Sequence, residues 1–308
     1  MSDTRLPRNK RAERPPPMQL TERDIRVLRL VADFRYMTRD QVEKLEFSPT
    51  TISYCKRRLS LLFHNGYLER RFLPLREAFG AARAYYVLDQ RGADVLVKVL
   101  ELTRHELDWR PRDGRREPLY MEHTLRINDV RALLLVTAKD AALELAWTDE
   151  RELKRRARDH RVPDPLRAGE KITIIPDGYF TLGGRWSFAL ELDRGTVEEV
   201  PFKRKVRGYG EWKTTGAYAR SFGTHSLRVL FVVADARRDP RRLERIRRWT
   251  EDAKGGTMFW FAHLDELTPA TMLGFPLWSV AATPSKSRLL RESDHGLGHS
   301  RAEPRSAG

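Results

Sequence analysis

One cysteine, Cys55, stands in a chain of 308 residues. A disulfide framework and a thiolate zinc site both need more, so both are excluded. No apolar run approaches the roughly 18 residues that a membrane span requires. The first twenty residues, MSDTRLPRNKRAERPPPMQL, are basic but lack the apolar core of a secretion signal, and a cytoplasmic chain with no membrane partner is expected. No internal repeat is visible. The stretch DAKGGTMF places its glycines after the lysine, the wrong order for a phosphate-binding P-loop, so an ATP-driven motor is excluded.

Positive charge is in excess. Fifty-eight Lys and Arg against 43 Asp and Glu leave +15. The surplus is shared, +8 over residues 1–118 and +7 over the remainder, so both parts of the chain suit an anionic partner. Nucleic acid is the first expectation and a membrane surface the second. Hydrophobic residues make up 40%, enough for a core in each of two domains.

Residues 1–18 read as a disordered basic arm ending in a proline run. Residues 19–102 then carry three helical patterns. Thr21 caps the first, with Ile25, Leu28, Val31 and Ala32 on one face. Thr38 caps the second, with Val42 and Leu45 facing in. Ser48 and Pro49 open the third, whose apolar stripe is Ile52, Cys55, Leu59 and Leu62. Two strands around residues 67–73 and 82–89 and a closing helix complete a winged helix-turn-helix.

The third helix is the recognition candidate. Thr50, Thr51, Ser53, Lys56, Arg57 and Arg58 lie off its apolar stripe. Arg70, Arg71, Arg76 and Arg83 would decorate the wing. Short hydroxyls and a basic cluster at one helix start suit bases and phosphates, so double-stranded DNA is the expected partner. Solvated charge on an ordinary helix pair and a protein-docking module are the competing readings. The charged stretch 103–118, with Pro and Gly, is the expected linker.

Residues 119–268 run helix, strand, two strands around Gly183-Gly184, helix, strand, helix, strand. An α/β sandwich with a mixed sheet follows, α+β overall with the first region. Residues 151–171 read as a basic loop-like insertion. Residues 281–308 read as a disordered tail.

PDGYFTLGGRWSFALELD, residues 176–193, sets three acids at the ends of two strands. A three-residue loop, Gly183-Gly184-Arg185, makes both faces of the hairpin consistent and puts Asp177 opposite Glu191. Carboxylates so placed repel unless a cation or proton lies between them. Mg²⁺ suits such hard oxygen ligands and would activate water for phosphodiester cleavage. A solvated acid pair at a sheet edge is the competing reading.

The Asp after Pro, the acid on the next strand and the αβββαβ order resemble the PD-(D/E)XK nuclease-like, restriction-endonuclease-like fold. That resemblance implies Asp177 and Glu191 as metal ligands and catalytic residues, with Mg²⁺ or Mn²⁺ as the ion. It also implies a Lys two residues after Glu191, where this chain has Asp193, an added metal-ligand candidate. Lys205, on the following helix with Tyr209 at i+4, is the expected substitute for that lysine. Glu122 would be an accessory acid. The whole chain, over about residues 20–265, resembles the replication-relaxation family of plasmids and other mobile elements. EHTLRINDVRALL, IPDGYFTL, ALELDRGT and KRKVRGY, in that order after the winged helix, carry the resemblance.

The resemblance implies a DNA-associated role in plasmid replication and relaxation. Replication or relaxosome proteins and a second copy of the chain are further partners in view. Binding without catalysis is favoured, because Asp193 stands where the catalytic lysine would be, and binding itself requires no cofactor. An active Mg²⁺-dependent endonuclease is the alternative, and a winged-helix transcriptional regulator the second. His123, His160, His225 and His263 are isolated, which excludes a nicking transesterase with a His-apolar-His metal site.

Overall fold

A computed structural model describes residues 6–74, 83–111, 117–235 and 237–290. The chain divides into two compact units, Met1–Val136 and Thr137–Gly308. The fold is mixed α and β.

In the first unit the helices begin where the capping chemistry is written. Thr21 and Asp24 form a capping box at α1 (Glu22–Phe34). After the short strand β1 (Met37–Thr38), Thr38 and Gln41 do the same for α2 (Arg39–Glu46). Residues Pro49–Thr51 make a single tight turn, and α3 (Ile52–His64) starts after it. Thr51 delays the start. Its hydroxyl donates to Ser48 O at 3.0 Å and accepts from Ser48 N at 3.0 Å. Strands β2 (Leu68–Phe72) and β3 (Ala84–Leu88) pair antiparallel, with β1 on the other side of β3. Helices α4 (Gln90–Val99) and α5 (Arg104–Leu107) follow.

Val27, Leu28 and Val31 of α1 meet Cys55, Leu59 and Leu62 of α3 in the core. Ile52 does not join them. It is 46% exposed, because the helix begins there and its first turn stands clear of the core.

Three boundaries differ from the sequence expectation. Residues 6–18 are not a free arm. Arg11 donates from Nε to Phe63 O at 3.0 Å and from Nη2 to Leu68 O at 3.2 Å, and Asn65 holds Pro16 O at 3.1 Å. Residues 103–109 are not a linker, because Leu107 is buried and Trp109 Nε1 donates to Leu88 O at 2.9 Å. The division between units falls instead inside α6 (Pro118–Asp140). Asn128 there bonds the carbonyls of Phe34 and Tyr36 at 3.1 and 2.7 Å, and Gln41 donates to Leu125 O at 2.8 Å. These bonds tie the first turns of α6 to α1 and α2.

The second unit opens with β4 (Leu145–Asp149) and α7 (Glu150–Arg155). The expected loop-like insertion is structured. After α7 it holds a small hairpin of β5 (Arg161–Pro163) and β6 (Lys171–Thr173), anchored by buried Leu153 and Val162. Then come β7 (Gly178–Leu182), β8 (Trp186–Asp193), α8 (Glu199–Thr214), α9 (Ala217–Phe222), β9 (Arg228–Val233), α10 (Arg242–Asp252), β10 (Phe259–His263) and β11 (Ser279–Val280).

Among the described residues, six strands form one sheet in the order β11-β10-β9-β8-β7-β4. Strands β4, β7 and β8 are antiparallel neighbours, whereas β8, β9 and β10 run parallel. All eight residues of β8 are buried, as the near-central strand of a covered sheet requires. Phe202, Val206, Tyr209 and Trp212 of α8 pack into the core formed with Tyr179, Ala189 and Val229. Gly208 is the contact point of α8 with the insertion, since a Cβ there would lie 2.6 Å from Ile174 Cδ1.

The chain remains packed past Val280. Leu289 and Leu290 are fully buried, and Leu290 N donates to Leu273 O at 3.0 Å. Only 291–308 of the expected tail lie outside the described residues. Among the described residues no helix is long and apolar enough to cross a membrane.

Candidate functional site

Two places gather the residues singled out in the sequence. In the first unit a groove of about 1260 Å³ runs along α3. Ser53, Lys56, Arg57 and Ser60 line it, spaced to share one helix face. Arg70 and Phe72 of β2, Arg83 beside β3, Arg39 and Asp40 of α2, and Leu6, Arg8 and Pro16 complete the walls. Asp40 is the lone acid among six basic residues in this lining. Lys56 and Arg57 are exposed and pair with no acid among the described residues.

The other expected contacts are engaged. Arg58 turns away from the groove. Its Nε donates to Asp24 at 2.9 Å, Nη2 bonds the same carboxylate, and Gln19 O accepts at 3.0 Å. Both side chains are nearly buried, so this is a structural ion pair. Arg71 is paired with Glu69 at 2.6 Å and Arg83 with Asp129 at 3.5 Å. Arg70 lies 4.3 Å over the Phe63 ring and holds Pro7 O at 3.2 Å. Thr50 and Thr51 bond the Ser48 hydroxyl at 2.9 and 3.1 Å in the turn before α3. Arg76 lies outside the described residues. Ser60, Arg39 and Arg8 were missed. Ser60 was readable as the next member of the Ser53–Lys56–Arg57 face.

In the second unit the β7–β8 register is the expected one. Leu182 meets Trp186 and Phe180 meets Phe188 across the Gly183-Gly184-Arg185 loop. Both glycines take positive φ, 55° and 63°. Asp177 N donates to Leu190 O at 3.0 Å, and Asp177 Oδ2 accepts from Leu192 N at 2.7 Å, bracketing Glu191.

Lys205 and Tyr209 arrive one turn apart on α8. Lys205 Nζ bonds Glu191 Oε2, and Tyr209 donates its hydroxyl to Glu191 Oε1 at 2.5 Å. Burial pushes the Glu191 carboxyl up to about 7, against the pull of Lys205 and with the help of Asp177. Burial works to lower Lys205, but Glu191 and Asp177 outweigh it and hold the ammonium above its ordinary value. Burial and Glu191 together raise the Tyr209 phenol well above its ordinary value, so it acts here only as a donor.

Asp193 takes no part in this cluster. Both its oxygens accept from Arg242, at 2.7 and 2.8 Å, and both side chains are buried. Arg242 lies 49 residues away on α10, and no local pattern announces it. Glu122 lies on α6, in the first unit.

A nuclease-like metal site needs carboxylate oxygens turned toward a common point. Here both oxygens of Glu191 meet Lys205 and Tyr209, and both of Asp193 meet Arg242. Among the described residues no group of three or more His, Cys, Asp or Glu could hold a metal ion. Lys205 and Tyr209 hold both Glu191 oxygens, so a cation binding at Glu191 would have to displace them.

Glu191→Gln tests this assignment. A carboxyl with raised pKa favours the fold below its unfolded value and loses that contribution as pH rises toward 7. The stability of Glu191→Gln relative to the parent is therefore expected to improve between pH 5 and about pH 7.5. Urea unfolding at the two pH values reads it. A relative stability that worsens with rising pH would mean that Lys205 depresses the carboxyl instead.

No curated protein and no solved structure gives a match. The replication-relaxation family profile matches residues 28–227, from α1 through α9. That span takes in the groove helix, the β7–β8 hairpin and the lysine of α8, and the chain belongs to the replication-relaxation family.

Proposed function

We propose that this chain is a duplex-DNA-binding protein that acts in the replication and relaxation of a plasmid or other mobile element. Its first unit works as a winged helix-turn-helix with α3 in the major groove. Its second unit is a nuclease-like scaffold that does not cleave. The groove along α3 carries the reading, since Lys56 and Arg57 stand exposed beside it without acidic partners. Family membership supports the replication and relaxation role. A DNA partner of this kind fits a cytoplasmic protein, and replication or relaxosome proteins and a second copy of the chain fit as assembly partners.

The convergence of Asp177, Glu191 and Lys205 favours a second reading, an active endonuclease. Against it, Lys205 is spent on Glu191, and losing one positioned electrostatic group costs about 10²–10³ in rate.

Purified protein incubated with supercoiled plasmid and Mg²⁺ or Mn²⁺ separates the two. Retarded but uncut plasmid is expected. Robust cleavage abolished by Asp177→Ala would replace the binding reading with the enzymatic one. No retardation at low salt would remove both.

A further inference from the structure

Residues 6–18 form neither helix nor strand, yet they are held to the first unit along their length. Arg70 reaches the carbonyls of Pro7 and Arg8, Arg11 reaches those of Phe63 and Leu68, and Asn65 holds that of Pro16. Ala12 N donates to His64 Nδ1 at 3.0 Å. Burial, with Arg70 and Arg11 adding to it, holds that imidazole below its ordinary pKa, so the ring keeps the lone pair that Ala12 needs. The run Pro15-Pro16-Pro17 stiffens the return to α1.

Apart from Arg11, these anchors use the backbone of the arm, and its other basic side chains are left over. Residues 6–18 carry four basic residues against one acid, Glu13. Arg11 is matched to Asp89. Arg8, Lys10 and Arg14 are exposed, and they pair with no acid among the described residues. Arg8 lies 5.2 Å over the Phe72 ring and, with Leu6 and Pro16, forms part of the wall of the groove along α3. The arm therefore continues the positive surface of that groove along the wing strand β2.

We propose that this arm is a second DNA-contacting element, which lays Arg8, Lys10 and Arg14 along the phosphates flanking the duplex held in the α3 groove. The inference rests on the reading of that groove as a duplex-binding site. Phosphates repeat evenly along each strand, so an extended segment with cations at separated positions can follow them. An arm already held in place loses little conformational freedom on binding. Arg8 can serve while stacked on Phe72, because a guanidinium with its face on a ring still presents its N–H edge to a phosphate.

Fluorescence anisotropy of the full chain on a labelled duplex across a salt series, paired with thermal melts, tests it. Lys10→Ala/Arg14→Ala is expected to melt with the parent, since neither side chain is engaged. It should weaken binding about tenfold near 0.1 M salt and make the slope of log affinity against log salt shallower by about 2 units. Lys44→Ala/Lys98→Ala, at exposed positions of α2 and α4 outside the groove lining, removes the same charge and should leave the slope at the parent value. Parent affinity and slope in the arm variant, while Lys56→Ala/Arg57→Ala loses both, would overturn the arm's role and leave the groove reading standing. Tighter binding by the arm variant would overturn it too, and would make the arm a lid on the groove. An equal slope change in Lys44→Ala/Lys98→Ala would reduce the effect to net charge and end the assignment. No binding by the parent at low salt would remove the groove reading and the arm with it.

Discussion

Asp193→Ala is expected to destabilise the protein by about 3–5 kcal/mol, the usual cost of stripping one partner from a buried ion pair. The reason is the charge left behind. Arg242 is 3% exposed, and its guanidinium is committed to Asp193 through two bonds and to Val197 O through a third at 2.7 Å. Without the carboxylate, a cation faces a low-dielectric interior with only the Val197 carbonyl and the face of the Trp249 ring beside it. Asp193→Lys, which would recreate the nuclease-like pattern, should be worse, because it sets a second cation against the first. Asp193→Leu with Arg242→Met should recover much of the loss, since an apolar pair removes both desolvation costs. The shift in urea midpoint at constant slope measures each case. A loss below about 1 kcal/mol for Asp193→Ala would mean that solvent reaches Arg242 and that the pair is not the anchor described.

That ion pair also marks what sequence reasoning reached and what it did not. The facing of Asp177 and Glu191 was legible because only an odd loop keeps Phe180 and Phe188 on one face. The approach of Lys205 with Tyr209 was legible because helical spacing places them together, one turn apart. Local periodicity cannot supply a partner 49 residues away, so Asp193 looked like a spare ligand rather than half of a salt bridge. The same blindness applied at the chain ends. Composition alone made residues 6–18 and 281–290 look unstructured, yet Arg11 finds carbonyls on α3 and β2, and Leu289 and Leu290 are buried. Ile52 failed differently. Its phase on the helix was right, but α3 starts at that residue, and the first turn overhangs the core.

The distinction between Arg57 and Arg58 gives the largest expected effect on binding. Adjacent in sequence, they point to different chemistry. Replacing Lys56 and Arg57 together with Ala is expected to weaken duplex binding about 10–100-fold near 0.1 M salt, the loss of two phosphate contacts. The slope of log affinity against log salt should become shallower by about 2 units, since each contact releases close to one counterion. Stability should scarcely change, because neither side chain pairs with another described group. Arg58→Ala should do the reverse. It leaves the Asp24 carboxylate, which is almost fully buried, without its cation, so melting temperature falls while the salt slope of the folded protein stays at the parent value. Fluorescence anisotropy on a labelled duplex across a salt series, paired with thermal melts, reads both quantities. An unchanged slope in the Lys56→Ala/Arg57→Ala variant would take the recognition role from α3. A slope lost only with Arg58→Ala would mean that the Asp24 pair opens on DNA.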